Sequence, residues 1–100
     1  MAEIIWTEPA VSDLDEIAGY IALDNPDAAS MLVENTFSKV DRLAEFPLSG
    51  RPPPELPNSL YREVVAPPCR VFYRVDGEQV LILSVIREER RLREYMLEFE

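Results

Sequence analysis

Apolar residues follow two different rhythms along the chain, and the change of rhythm divides it. Glu3-Ile4-Ile5-Trp6 is a short run of strand formers. Thr7, Glu8 and Pro9 follow. A threonine cap, an early acid and an early proline together mark a helix start. Ala10, Val11, Leu14, Ile17, Ala18 and Ile21 then recur at helical spacing, while Ser12, Asp13, Asp15 and Glu16 take the other face; this predicts a helix over residues 8–23. Asp24-Asn25-Pro26-Asp27 repeats the start signal. Ala29, Leu32, Val33, Phe37, Val40, Leu43 and Ala44 form the second stripe, predicting a helix from 26 to about 46. The joint between the two is short, so they must pack antiparallel as a hairpin.

Beyond Phe46 the helical period stops. Residues 47–57 hold five of the nine prolines, which predicts an extended loop stiffened by fixed φ angles. Three strand-like runs follow, at 61–66, 70–75 and 79–86. Pro67-Pro68 separates the first two, and Asp76-Gly77 between the others is a strong signal for a tight hairpin turn. The last run, Gln79-Val80-Leu81-Ile82-Leu83-Ser84-Val85-Ile86, is almost continuously apolar, as a strand covered on both faces or central in a sheet should be. From Arg87 to Phe99 the chain is polar, with Leu92, Tyr95, Met96 and Phe99 at helical spacing, so a short, partly docked helix is expected. The predicted order is β-α-α-β-β-β-α. Helices and strands are segregated, which makes the fold class α+β: an N-terminal helical hairpin packed on an antiparallel sheet.

Length and composition narrow the picture. One hundred residues, 47% of them apolar and 29% charged, make one globular domain spanning 1–100. No apolar stretch is long enough to span a membrane, and no basic start precedes an apolar block, so a cytoplasmic protein with no membrane partner is expected. Histidine is absent and Cys69 is the one cysteine. His-based catalysis, zinc spacing and internal disulfides are thereby excluded, and neither metal nor cofactor is expected. Cys69 reads as a structural thiol at a strand edge, since a nucleophilic cysteine would lack its usual base.

Charge is unevenly placed. The chain carries −9, from 19 acids and 10 bases. Up to Asn58 there are eleven acids against Lys39, Arg42 and Arg51; from Ser59 on, eight acids face seven arginines, Arg62, Arg70, Arg74, Arg87, Arg90, Arg91 and Arg93. An acidic protein is repelled by bulk nucleic acid unless its bases share a face. Any basic surface must lie in the C-terminal part, and a protein target suits it better than naked nucleic acid. Alternation places Arg70, Phe72 and Arg74 on one face of their strand, with Val71, Tyr73 and Val75 on the helix-facing side. Phe72 between two arginines is then either a platform for a base or a protein partner, or a satellite contact for the final helix. Asp13 and Glu16 read as part of a solvated helix face.

The order of motifs resembles a known superfamily. Trp6-Thr7-Glu8-Pro9-Ala10, Asp13-Leu14-Asp15-Glu16-Ile17 and Tyr20-Ile21 resemble the opening of the RelE/ParE toxins, more closely the ParE branch. Asn25-Pro26-Asp27-Ala28-Ala29 is similar to their helix–helix joint, and Leu43-Ala44-Glu45-Phe46-Pro47-Leu48-Ser49-Gly50-Arg51 to their central loop. Tyr61-Arg62-Glu63-Val64, Cys69-Arg70-Val71-Phe72-Tyr73-Arg74-Val75 and Val80-Leu81-Ile82-Leu83-Ser84-Val85 match the strand segments, before an Arg90-Arg91 close. The chain departs from the pattern at Cys69, where an aromatic is frequent, and at Ile86-Arg87, where histidine is common.

The resemblance implies the toxin of a bacterial type II toxin–antitoxin pair. Its partner would be a ParD-like or other small DNA-binding repressor, and operator DNA would be reached only through that antitoxin. ParE-like toxins are associated with poisoning DNA gyrase by binding; RelE-like relatives cut mRNA in the ribosome. Arginine is a poor general acid or base, so a non-enzymatic gyrase inhibitor is expected. Its target-binding set would be Arg87, Arg90, Arg91, Arg93 and Tyr95, in the one concentrated basic element. If the chain is instead a ribosome-dependent endonuclease, Arg70, Arg87 and Tyr95 are the catalytic candidates. A third alternative is an antitoxin-binding module that has lost toxicity. Antitoxin contacts are expected at Ala18, Ile21, Ala29 and Leu32, on the part of the hairpin that the sheet does not cover.

Overall fold

The computed structural model describes residues 1–98. It comprises strand β1 (Glu3–Trp6), helices α1 (Glu8–Ala22) and α2 (Pro26–Asp41), a 3-10 turn (Arg42–Ala44), strands β2 (Arg62–Ala66), β3 (Cys69–Asp76) and β4 (Gln79–Arg87), and a last 3-10 turn (Glu94–Leu97).

Thr7 makes the first junction. Its hydroxyl accepts from the Ala10 N–H and donates to the Ile82 carbonyl, 2.6 Å away, so one side chain both caps α1 and fastens it to the sheet. Asn25 caps α2 through the Ala28 N–H, with Pro26 at the first helical position. Ala10, Leu14, Leu32, Val40 and Leu43 bury their side chains with Val71, Tyr73, Val80, Ile82 and Val85 between the hairpin and the sheet. α2 ends earlier than its apolar stripe predicts. After Asp41 the chain tightens to 3-10 geometry, and the Ala44 carbonyl accepts from the Ala2 N–H at 2.8 Å. The stripe continues through the tighter turn because Leu43 still enters the core.

The strand order is β1-β4-β3-β2. β2, β3 and β4 form the expected antiparallel meander, and Gly77 takes the positive φ of 61° that the turn after Asp76 requires. β1, however, pairs parallel with β4, Ile5 opposite Leu81, so the sheet is mixed and not wholly antiparallel. A four-residue strand does not encode its partner. The returning hairpin delivers β4 to it in the parallel sense. β4 is central, as its apolar run requires. It also holds one residue more than β3 between the pairs Phe72–Ser84 and Tyr73–Ile82. This register shift puts Val80, Ile82 and Val85 on the helix side and Leu81, Leu83 and Ile86 on the other.

That other face is also covered. Phe72, Leu81, Leu83 and Ile86 pack with Leu92 and Leu97 from the C-terminal segment and with Leu56 and Tyr61 from the loop before β2. Phe72 is wholly buried and is therefore a packing contact for that segment, not an open platform. The segment itself is mostly irregular: the expected final helix is one 3-10 turn, and Phe99 lies outside the described residues.

Candidate functional site

Three parts of the surface carry the residues singled out above: the C-terminal arm, the cleft beneath it and the outer face of the hairpin. The arm leaves β4 at Arg87. Arg90, Arg91, Arg93 and Tyr95 are all exposed, Tyr95 by 68%. Among the described residues Arg90, Arg91 and Arg93 have no ion-pair partner, whereas Arg87 donates to Glu89 at 3.2 Å. Arg90 stands between two grooves. On one side it lines a groove with Arg87, Tyr20, Ile17, Glu16 and Asp13. On the other, Arg90 and Arg91 border a cleft of about 620 Å³ with Arg51, Glu55 and Arg70.

Arg70 lies at the floor of that cleft, and it is not a free cation. Its Nη2 donates to Glu55 Oε1 at 2.7 Å and to Glu63 Oε1 at 2.6 Å, its Nη1 donates to Glu55 Oε2 at 2.9 Å, and its guanidinium sits 4.9 Å from the Phe72 ring centre. Glu63 in turn accepts from Arg51 through Oε2. The Glu63 side chain is fully buried, a position that a carboxylate can hold only with such partners. The bidentate Arg70 fork holds the Glu55 carboxyl down at about 2, helped by the Leu92 N–H at 2.9 Å and opposed by burial. The same partners, Glu55 first and then Glu63, push the Arg70 pKa further up, so the guanidinium stays charged.

Two of the three candidates for RNA cleavage, Arg70 and Arg87, do not share a face. Arg70 pairs across the sheet with Ile86, and Arg87 pairs with Cys69. Neighbouring positions point to opposite faces. Arg70 therefore lies on the Phe72 side, while Arg87 lines the groove beside α1. Cys69 opens β3, an interior strand and not an edge one, fully buried, and burial raises its thiol pKa. Its reading as a structural thiol agrees with that environment.

The hairpin separates the four expected antitoxin contacts. Ala18 and Ala29 line a shallow groove with Gly19, Ala22, Ser30, Val33 and Glu34, where α1 and α2 meet on their outer side. Leu32 is only 3% exposed and belongs to the core, and Ile21 packs against that core. Ala29 is buried as well, at the floor of the groove, while Ala18 and Ile21 are half-buried.

Sequence reasoning overlooked Glu55, Glu63 and the role of Asp13. Asp13 is not simply solvated: its Oδ2 accepts from Ser84 Oγ and from the Val85 N–H that the register shift leaves free. Glu63 carried one signal, an acid next to Arg62 at the start of a strand that is otherwise apolar. Glu55 carried none, because nothing in Pro54-Glu55-Leu56-Pro57 names a partner fifteen residues later.

The depressed Glu55 has a pH consequence. A carboxyl whose pKa falls from 4.5 to about 2 on folding contributes stability that is complete above 4.5 and vanishes as pH falls through 2. The Glu55→Gln variant should be less stable than wild type by about 2 kcal/mol at neutral pH. That gap should close between pH 4.5 and 2. Urea unfolding at pH 7, 4 and 3 measures it; a constant gap would show that charge is not its origin.

The comparisons with known proteins agree with this geometry. Residues 4–92 match the family described as ParE toxin of type II toxin–antitoxin system, parDE. Toxin RelE2 of Caulobacter vibrioides is 38% identical over 86 residues, covering 85% of this chain and 93% of its own. Toxin ParE3 of the same species is 33% identical over 87 residues, covering 86% of each. Y4kP of Sinorhizobium fredii is 53% identical over 49 residues, a match that spans about half of either chain. A solved structure described as a chromosomal ParDE TA system from P. aeruginosa superposes with a TM-score of 0.75 at 26% identity, covering 89% of this chain and 98% of that one. With a matched hairpin, sheet and central loop, this chain belongs to the ParE toxin family of type II toxin–antitoxin systems.

Proposed function

We propose that this toxin acts by binding, that its target is DNA gyrase, and that it meets the target with the arginine-rich arm formed by Arg87, Arg90, Arg91, Arg93 and Tyr95. The observation that carries the reading is the contrast between two sets of arginines. Arg70, one of the three catalytic candidates, is paired with two carboxylates, whereas Arg90, Arg91 and Arg93 are exposed and without ion-pair partners among the described residues. Arginine forks and an exposed tyrosine suit a protein surface. Purified toxin should inhibit gyrase supercoiling, and Arg90→Ala combined with Arg93→Ala should weaken inhibition by about tenfold or more. Normal supercoiling at large toxin excess would refute the target. RelE2, a relative over most of its length, supports a second reading as a ribosome-dependent endonuclease. Cleaved transcripts in a translating extract given toxin would establish that reading instead.

The antitoxin is proposed to lay an amphipathic segment into the groove of Ala18, Ala29 and Val33. Small residues let a helix approach closely, and the strongly acidic hairpin favours basic side chains on its partner. Operator DNA would then be held by the antitoxin, consistent with a toxin of charge −9. Ala18→Trp fills the groove from the outer side. It should lower antitoxin affinity by about tenfold or more in titration calorimetry while leaving the unfolding midpoint of the free toxin in place. Unchanged affinity would remove the groove from the interface.

A further inference from the structure

The arm reaches its position through contacts of two kinds. Leu92 and Leu97 bury their side chains against Phe72, Leu81, Leu83 and Ile86. Such contacts are non-directional: they fix which face the arm covers and not how it is turned. Direction comes from polar contacts. Along the arm, Glu88 N–H donates to the Pro68 carbonyl close to the end of β4, and Arg90, Met96 and Glu98 donate to the arm or to Arg87 itself. The contact that ties the middle of the arm to another part of the fold is Leu92 N–H to Glu55 Oε2, 2.9 Å. Leu92 stands between Arg91 and Arg93.

Glu55 comes from the proline-rich loop and has no strand or helix to orient it. Its orientation is supplied by Arg70, whose two terminal nitrogens grip its two oxygens. Arg70 is held by Glu63, and Glu63 by Arg51, so an unbroken line of charge-assisted bonds runs from the β2 edge to the arm. We propose that Glu55 is the positioning residue of the toxin: oriented by Arg70, it clamps the Leu92 amide and so fixes the outward presentation of Arg91, Arg93 and Tyr95. Arg70 thereby acts on the target through the arm and never touches it. The clamp stands independently of any target; its connection to gyrase rests on the functional reading above.

Glutamine at position 55 offers one acceptor oxygen where Leu92 and both Arg70 nitrogens need two, and its amide N–H would face their donors. Arg70 keeps Glu63, so the Glu55→Gln protein folds. In the wild type, the Leu92 amide should exchange with deuterium about tenfold or more slowly than those of Arg91 and Arg93, which donate to nothing among the described residues. Glu55→Gln should erase that protection, speed tryptic cleavage after Arg90, Arg91 and Arg93, and raise the toxin concentration for half-inhibition of supercoiling by about tenfold. Affinity for the antitoxin, measured on the same preparation, should stay within about twofold, because the α1–α2 groove lies on the other face of the sheet. Arg70→Lys, which keeps the charge and loses the fork, should reproduce the pattern. Equal exchange of Leu92 and its neighbours in the wild type overturns the clamp without any variant. So does a parallel loss of inhibition and antitoxin binding, which would mark a damaged fold. A wild type that leaves gyrase untouched overturns the target instead, and the Leu92 amide then decides the clamp alone.

Discussion

Replacing Glu63 with leucine is expected to lower the unfolding free energy by about 4 kcal/mol. The side chain is fully buried and links Arg51, which is largely exposed, to Arg70, which is not. Leucine fills much the same space, so the cost is electrostatic. Arg70 would stay desolvated with half of its carboxylate partners gone, and the Phe72 ring cannot replace a full negative charge. In a domain of this size such a loss lowers the melting midpoint by roughly 20 °C. The Glu55→Gln, Glu63→Leu, Arg70→Leu triple variant, which removes every charge that faces Arg70 together with Arg70 itself, should regain much of that, since a buried ion network exchanged as a whole for uncharged residues is often close to neutral. Urea unfolding of the single and triple variants measures that recovery directly. A single-variant loss below about 1 kcal/mol would mean that desolvation already cancels what the network contributes.

The second large effect belongs to Gly50. A Cβ there would lie 2.5 Å from Tyr73 Oη and 2.7 Å from the Glu63 carbonyl oxygen, distances that real side chains do not tolerate. Neither neighbour can yield. The Tyr73 ring is wholly buried, its hydroxyl accepts from the Gly50 N–H and donates to the Pro47 carbonyl, and the Glu63 carbonyl is paired with the Arg51 N–H. Gly50→Ala must therefore push the loop from the sheet, breaking these bonds and those of Arg62 to the Gly50 and Leu48 carbonyls. About 3 kcal/mol should be lost, from overpacking and two or more hydrogen bonds. Gly19→Ala supplies the contrast. Its Cβ would meet nothing, and the position is helical, so it should gain about 0.5–1 kcal/mol. Thermal unfolding of the two variants should move in opposite directions; two losses of equal size would show that glycine at 50 is not there for close approach.

Much of this architecture was legible because its signals are local. Thr7 and Asn25 act as caps, Pro9 and Pro26 sit in first turns, and Gly77 adopts the required turn conformation. Each of those outcomes depends on a handful of adjacent atoms. The functional residues were less legible. The exposed arginines of the arm could be counted, but the sequence treats Arg70 and Arg90 as alike. What separates them is a carboxylate fifteen residues upstream of Arg70 in a loop with no periodicity. Leu32 and Ala29 both fit an apolar stripe and both are buried, and only the crossing of the helices decides that Leu32 joins the central cluster while Ala29 lines the outer groove.

The sequence by itself determined the strands and the two long helices, their order, the hairpin, the concentration of arginines at the C-terminal end and the toxin family. Periodicity, caps and composition act within a few residues of where they are written. Tertiary structure alone decided the parallel seat of β1, the register shift that turns Ser84 and Val85 toward Asp13, the opposite facing of Arg70 and Arg87, and the two carboxylates that pair with Arg70. Each of these is a pairing between segments distant in the chain. A sequence pattern states that a position will be buried or charged; which group meets it there is fixed only when the sheet closes and the arm is laid across it.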